Sequence, residues 1–214
     1  MLSKANKVVY VSPFTLENQK IIYSEFAKKM YFYPIPYLNI SLFQCNVSNR
    51  ITLLYAGDYN SKIRNILPLY NSIAEENEKF KLNLVGNSDY ILKNSNNISI
   101  QTRISYDEVK LLEKEADILV HLSNKHGTQI PGKIYQYSGT NKPILFILDG
   151  NEEEKRNIKN YFSQFDRYYF CENNENSIIN ILLQIKKDIK EKKYVPVKDF
   201  DKKIIAQNIL KEVL

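Results

Sequence analysis

The chain has 214 residues, 43% hydrophobic and 25% charged, with a formal net charge of +6. That length holds one large domain, or one domain with a fragment of another, and the balance is ordinary for a globular protein. No apolar run reaches the ~18–20 residues that cross a bilayer, and the apolar stretch before Ser12-Pro13 is too short for a signal-peptide core. The two cysteines, Cys45 and Cys171, have no metal-ligand spacing and read as reduced thiols of a cytoplasmic protein. The positive charge favours acidic partners such as nucleotides, phospholipid headgroups or acidic glycans. Part of the excess sits in Lys186–Lys203, which reads as a solvated helix end and linker, so nucleic-acid binding would rest on charge alone and is not expected.

Lys7–Ser12 is rich in β-branched residues and is stopped by Pro13, which predicts a short strand. Asn18–Met30 carries Ile22, Phe26 and Met30 at helical spacing. Pro34 and Pro36 keep Tyr31–Ile40 extended. Ser41–Arg50 reads as a linker, which places a boundary near residue 48. From there the pattern alternates. Strands are expected at Ile51–Gly57, Lys81–Gly86, Asn96–Ile104, Asp117–Ser123, Lys142–Asp149 and Arg167–Glu172. Helices are expected at Arg64–Phe80, with Pro68 in the tolerant first turns, and at Ser105–Ala116, Gly132–Gly139, Asn151–Phe165, Asn176–Lys193 and Asp201–Leu214. Ser105 and Glu108 form a capping-box signature.

Strands alternating with helices predict an α/β fold, a Rossmann-like doubly wound parallel sheet covered on both faces. Such sheets bind ligands at the carboxyl ends of their strands. All six glycines fall between residues 57 and 150. Gly57 and Gly86 directly follow strands, Gly127 and Gly132 lie between a strand and a helix, and Gly139 and Gly150 read as plain caps. A pyrophosphate needs backbone N–H groups, a helix N-terminus and cations. The loop Gly127–Pro131 leads into a helix with Lys133 in its first turn. A lysine there opposes the helix dipole, and a bound anion would compensate. Arg64, read as the start of a helix, and Lys62 offer further positive charge.

The segments LLYAGDYNSKIR, LNLVGN, ISIQTRISYDEV, EADILVHLS and IPGKIYQYSGTNKPIL together resemble the carboxy-terminal, donor-binding domain of GT-B glycosyltransferases. The likeness is to the retaining group-1 enzymes (family 4) that build bacterial capsule and lipopolysaccharide. It covers about residues 51–150, and its most specific piece is PGKIYQYSGTNKPIL, similar to a P-x-K-hydrophobic-x-E-Y-x-x-x-x-K-P motif. The resemblance implies a UDP- or GDP-sugar donor, no cofactor, no metal and no general base in this chain. Arg64 and Lys133 would stabilise the leaving diphosphate, joined by Lys62, and Gly57 would approach the sugar phosphate. Gly86 and Asn87 would border the base, flanked by Arg103 and Ile104. Gly127, Thr128, Gln129 and Ile130 would cover the sugar and phosphates through their backbone. His126 would stand where it can touch the donor sugar.

Two departures stand out. The glutamate that holds the ribose in that family falls on Gln136, and the acidic residue before the donor loop is replaced by Asn124-Lys125-His126. The resemblance divides the chain into a remnant of the N-terminal domain and hinge (1–48), a nucleotide-sugar domain (49–200) and a crossover helix (201–214). It implies a glycan or lipid-linked acceptor, a missing N-terminal GT-B domain or partner subunit, a homodimer as one way to cover the exposed surface, and contact with the inner face of a membrane. The competing readings are a non-catalytic nucleotide-binding or assembly subunit and a nucleotide-sugar epimerase. A dinucleotide oxidoreductase is not expected, because no G-x-G-x-x-G follows a strand.

Overall fold

The computed structural model describes residues 2–44 and 49–213. Cys45 and the linker residues up to the expected boundary at 48 lie outside the described residues. Two short strands near the amino terminus, β1 (Val8–Tyr10) and β2 (Met30–Phe32), pair in parallel. Six more form one parallel sheet: β3 (Ile51–Ala56), β4 (Phe80–Val85), β5 (Ile98–Gln101), β6 (Ile118–Leu122), β7 (Ile144–Leu148) and β8 (Tyr168–Glu172), in the order β5-β4-β3-β6-β7-β8. Order reverses between β3 and β6, which makes their carboxyl ends the topological switch point, where such sheets take ligands.

Strand residues alternate between two apolar layers, as a sheet covered on both faces requires. Leu53 and Tyr55 face one layer, where Ile66, Leu69 and Ile73 gather around α2 (Leu67–Glu75). Ile178, Leu182 and Ile185 of α6 (Glu175–Asp188) complete that layer. Leu54 and Ala56 face the other, built from α3 (Tyr106–Glu115), α4 (Lys133–Ser138) and α5 (Glu152–Ser163) through Leu112, Ile134, Tyr135, Ile158 and Phe162. The Ser105–Glu108 capping box forms as expected, and a second one, Asn151 with Glu154, opens α5.

The amino-terminal segment departs from expectation. The helix expected over 18–30 instead runs as α1 (Pro13–Ile22), followed by a 3₁₀ turn at Ser24–Lys29 and then β2. Ser12 caps α1 through its side chain and Pro13 takes the first helical position, where a missing N–H costs nothing. Met30 is therefore buried in a strand rather than on a helix face. Arg64 also lies outside its expected helix. Asn60 accepts the backbone N–H groups of Lys62 and Ile63 at 3.0 and 2.7 Å, and this turn delays α2 until Leu67.

The extended segment crosses to the main sheet. Tyr37 N–H donates to Phe200 O at 3.0 Å, and Ser41 N–H to Gly139 O at 2.9 Å. Gly139 is more than the plain cap expected of it, because a Cβ there would sit 2.7 Å from the Tyr37 ring. The last helix, α7 (Lys202–Val213), follows a short 3₁₀ turn at Lys198–Phe200. Cys171 is buried, and desolvation pushes its thiol up to about 12. Among the described residues no helix is long and apolar enough to cross a membrane.

Candidate functional site

A crevice of about 340 Å³ opens at the carboxyl ends of β3 and β4. Ala56, Gly57, Val85 and Gly86 form its floor, Ile104 and Val109 one wall, and Asp58, Arg64, Arg103 and Lys133 bring charge to it. The two floor glycines differ. Gly86 has φ +148°, and a Cβ on it would lie 2.1 Å from Gly57 O, so only glycine fits the close approach of the two chain segments. At Gly57 a Cβ would meet nothing nearer than Tyr55 Oη at 3.7 Å. Its missing side chain serves no packing need and leaves room on the crevice floor.

The turn at Asn60 sets Arg64 over this floor. Arg64 Nε donates to Asn124 Oδ1 at 2.8 Å and Nη1 to Asp58 O at 3.1 Å. Lys133, the first residue of α4, also lines the crevice, with Nζ 5.7 Å from the centre of the Tyr137 ring. Burial pulls its pKa down, and the charge of Glu113 opposes that pull. Glu113 is 1% exposed and lies 3.7 Å from Lys133 Nζ through Oε1, while Oε2 accepts from Lys110 Nζ at 2.5 Å. Beside the crevice a cavity of about 30 Å³ is lined by Tyr55, Arg64, His121 and Lys133 among others. His121 is buried, packs edge-to-face on Phe146 at 4.5 Å, and its Nε2 has no hydrogen-bond partner among the described residues. Burial first, and then the charge of Arg64, draw its pKa to about 3, so the imidazole is neutral.

Arg103 closes one side of the crevice. It pairs with Asp58 through two bonds, Nε to Oδ1 at 2.9 Å and a shorter one from Nη2 to Oδ2. The Arg103 guanidinium holds the Asp58 carboxyl below its ordinary range. Asn87 N–H also donates to Asp58 Oδ1, at 3.0 Å. Lys62 is exposed, its charge acts on Asp89, and it is not among the residues lining the crevice.

The glycine loop is placed differently from its sequence neighbours. Gly127 N–H donates to Glu154 Oε1 at 3.0 Å, and Thr128 O accepts from Ser12 Oγ at 2.5 Å and Thr15 Oγ1 at 3.3 Å. Gly127 and Thr128 line a separate groove of about 530 Å³ against α1 and α5. His126 and Gln129 are exposed and Ile130 is buried in the core. Gln136 Nε2 donates to Pro36 O at 3.0 Å. A carboxylate could not make that bond, so the departure at Gln136 has a structural use.

Gly57, Arg64, Gly86, Arg103, Ile104 and Lys133 are thus gathered at one crevice. Asn87 borders it through Asp58, and Lys62 and residues 126–130 and 136 are not part of its lining. The structure adds Asp58, Glu113 and His121, which sequence reasoning misses. Asp58 directly follows the strand-end glycine, and Glu113 continues the apolar stripe of Val109, Leu112 and Ala116, so both carry a signal. Among the described residues no group of three or more His, Cys, Asp or Glu is placed to hold a metal. The Asp-x-Asp sequence Asp199-Phe200-Asp201 lies outside the crevice lining, with Phe200 buried and Asp201 Oδ1 accepting Lys203 N–H at 2.8 Å.

No protein-family model and no curated protein matches the sequence. Solved structures do match. A sucrose-phosphate synthase from Thermosynechococcus elongatus aligns at TM-score 0.67 and 15% identity, over 99% of this chain and 58% of that one. A glycosyltransferase from Rickettsia africae aligns at 0.61 and 13%, over 97% and 62%. The catalytic domain of starch synthase IV from Arabidopsis thaliana, solved with ADP and acarbose, aligns at 0.59 and 10%, over 89% and 50%. The fold is that of a GT-B glycosyltransferase carboxy-terminal domain, and the chain spans half to about three-fifths of these solved chains.

Proposed function

We propose that this chain is the donor-binding half of a glycosyltransferase, taking a nucleotide diphosphate sugar with UDP or GDP as its nucleotide. One observation carries the reading: Arg64 and Lys133 face the same glycine-floored crevice at the carboxyl ends of β3 and β4, beside the switch point of the sheet. Two cations there suit a diphosphate, and stabilising the charge that develops on it as the sugar departs is electrostatic catalysis. Residues 1–48 would then be the end of an N-terminal domain, 49–200 the donor domain and 201–214 the helix crossing back. Val9, Val11, Ile21 and Ile22 are exposed on the amino-terminal segment, which supports an acceptor-binding half, or a second copy, covering that face. The acceptor would be a glycan or lipid-linked glycan of a bacterial surface polysaccharide, met in the cytoplasm or at the inner face of the membrane.

The test is calorimetric titration with UDP, GDP and their sugars. Binding at micromolar to low-millimolar Kd is expected, weakened about tenfold or more by Lys133→Ala and by Arg64→Ala. Binding untouched by both variants, or no binding of any nucleotide, would sink the reading. A second reading, a nucleotide-binding subunit without turnover, is favoured by one observation: Gly127 N–H is already bonded to Glu154. It predicts nucleotide binding with no hydrolysis or transfer when an N-terminal half is supplied.

A further inference from the structure

Lys133 can serve an anion only if it stays charged in a partly desolvated place and keeps donors free. Desolvation works against the first condition, and Lys110 and Arg64 add positive charge nearby. Glu113 is the group that answers both. It is a carboxylate almost wholly removed from water, on the buried face of α3. Its Oε2 is taken by Lys110, and among the described residues its Oε1 has no hydrogen-bond partner. The 3.7 Å from Oε1 to Lys133 Nζ is an ion-pair distance too long for a hydrogen bond. A buried carboxylate is costly unless it is paired; Lys110 pairs Oε2, and the cation facing Oε1 is the ammonium of Lys133.

We infer that Glu113 is a positioning residue for the crevice: it holds Lys133 as a cation facing the ligand without consuming its N–H donors. The inference rests on the crevice being an anion site. It adds that the anion affinity of Lys133 is set from behind by α3. The groups facing Lys133 are Glu113 and Lys110 of α3, Arg64 of the turn after β3, Tyr55 of β3, His121 of β6 and Tyr137 of its own helix. Asp58 and Arg103 line the same crevice as Lys133; the Asp58 carboxylate is paired with Arg103, and among the described residues Glu113 is the carboxylate at ion-pair distance from Lys133.

The experiment compares wild type, Glu113→Gln and Lys133→Met, with inorganic pyrophosphate and UDP as probes, between pH 6 and pH 9. Without Glu113, Lys133 loses its proton at lower pH. The ratio of Kd in Glu113→Gln to Kd in wild type is therefore expected to rise steadily from pH 6 to pH 9. The rise should vanish when both are measured in the Lys133→Met background. A ratio flat with pH, or a rise that survives Lys133→Met, would overturn the inference while leaving the donor site intact. If wild type binds neither probe, the donor-site reading itself fails. The inference is then judged by NMR titration of the Lys133 ε-methylene, which should move to lower pH in Glu113→Gln; an unchanged titration overturns it.

Discussion

The two ends of the six-stranded sheet use cations in opposite ways. At the amino ends of the strands, Arg167 is 4% exposed and gives its guanidinium to five backbone carbonyls: Ser138, Thr140 and Val195 from Nη1, and Tyr137 and Lys142 from Nη2. Lys142 likewise donates to Lys114 O at 2.7 Å and to Ala116 O, closing the end of α3. These cations stitch helix ends and loops together. At the carboxyl ends, Arg64 bonds Asn124 and Asp58 O and interacts with the Tyr55 hydroxyl, and Lys133 makes a long ion pair and a ring contact. Charge type does not separate a structural cation from a ligand-binding one; the fraction of its donors already used does.

The largest effect should come at the amino ends. Arg167→Met leaves buried carbonyls without donors and should cost ~3–5 kcal/mol of stability. Urea unfolding would measure it, and a loss below ~1 kcal/mol would break the contrast between the two ends. Next is His121, under the carboxyl ends. Its folded pKa, about 3, is below the unfolded value, so its contribution is full above pH ~6.5 and is lost as pH falls toward the folded value. The slope is at most ~1.4 kcal/mol per pH unit. His121→Leu should therefore flatten the acid limb of stability against pH while leaving pH 7.5 stability unchanged or slightly higher, since it removes an unpartnered buried nitrogen. An acid limb identical to wild type would show that His121 is not held neutral. The smallest effect on stability belongs to Gly57→Ala, within ~0.5 kcal/mol, because the added methyl meets only ordinary contacts. UDP affinity should nevertheless fall several-fold, and unchanged affinity would mean that the ligand does not approach Gly57.

The parts of the fold legible in the sequence are those written in local chemistry. Ser105 and Glu108 mark the start of α3, and runs such as Pro143–Ile147 mark a strand buried on both faces. The amino-terminal helix is harder to place because Pro13 reads as a strand stop as well as a helix start, and only Ser12 decides between them. Arg64 loses its helix to the side chain of Asn60, a competition between a turn and a helix that periodicity does not register. At the site, Gly57, Gly86, Arg64 and Lys133 can be named from their places after strands and before helices. Glu113 and His121 cannot be weighed in the same way, since a charge in an apolar stripe gains meaning only from what the fold puts across from it.

The pairing of β1 with β2 has a consequence for how the chain unfolds. Two parallel strands of three residues each, with Val9 exposed, cannot hold themselves together as a larger sheet does. Their backbone protection depends on α1 and on its bonds from Ser12 and Thr15 to Thr128. Amides of β1 and β2 should exchange with solvent deuterium well before those of β3, β6 and β7, as a separate cooperative unit. A calorimetric trace would then report the six-stranded sheet, and a binding half that covered the amino-terminal pair would be recognised by the slowing of exchange at Val8–Tyr10.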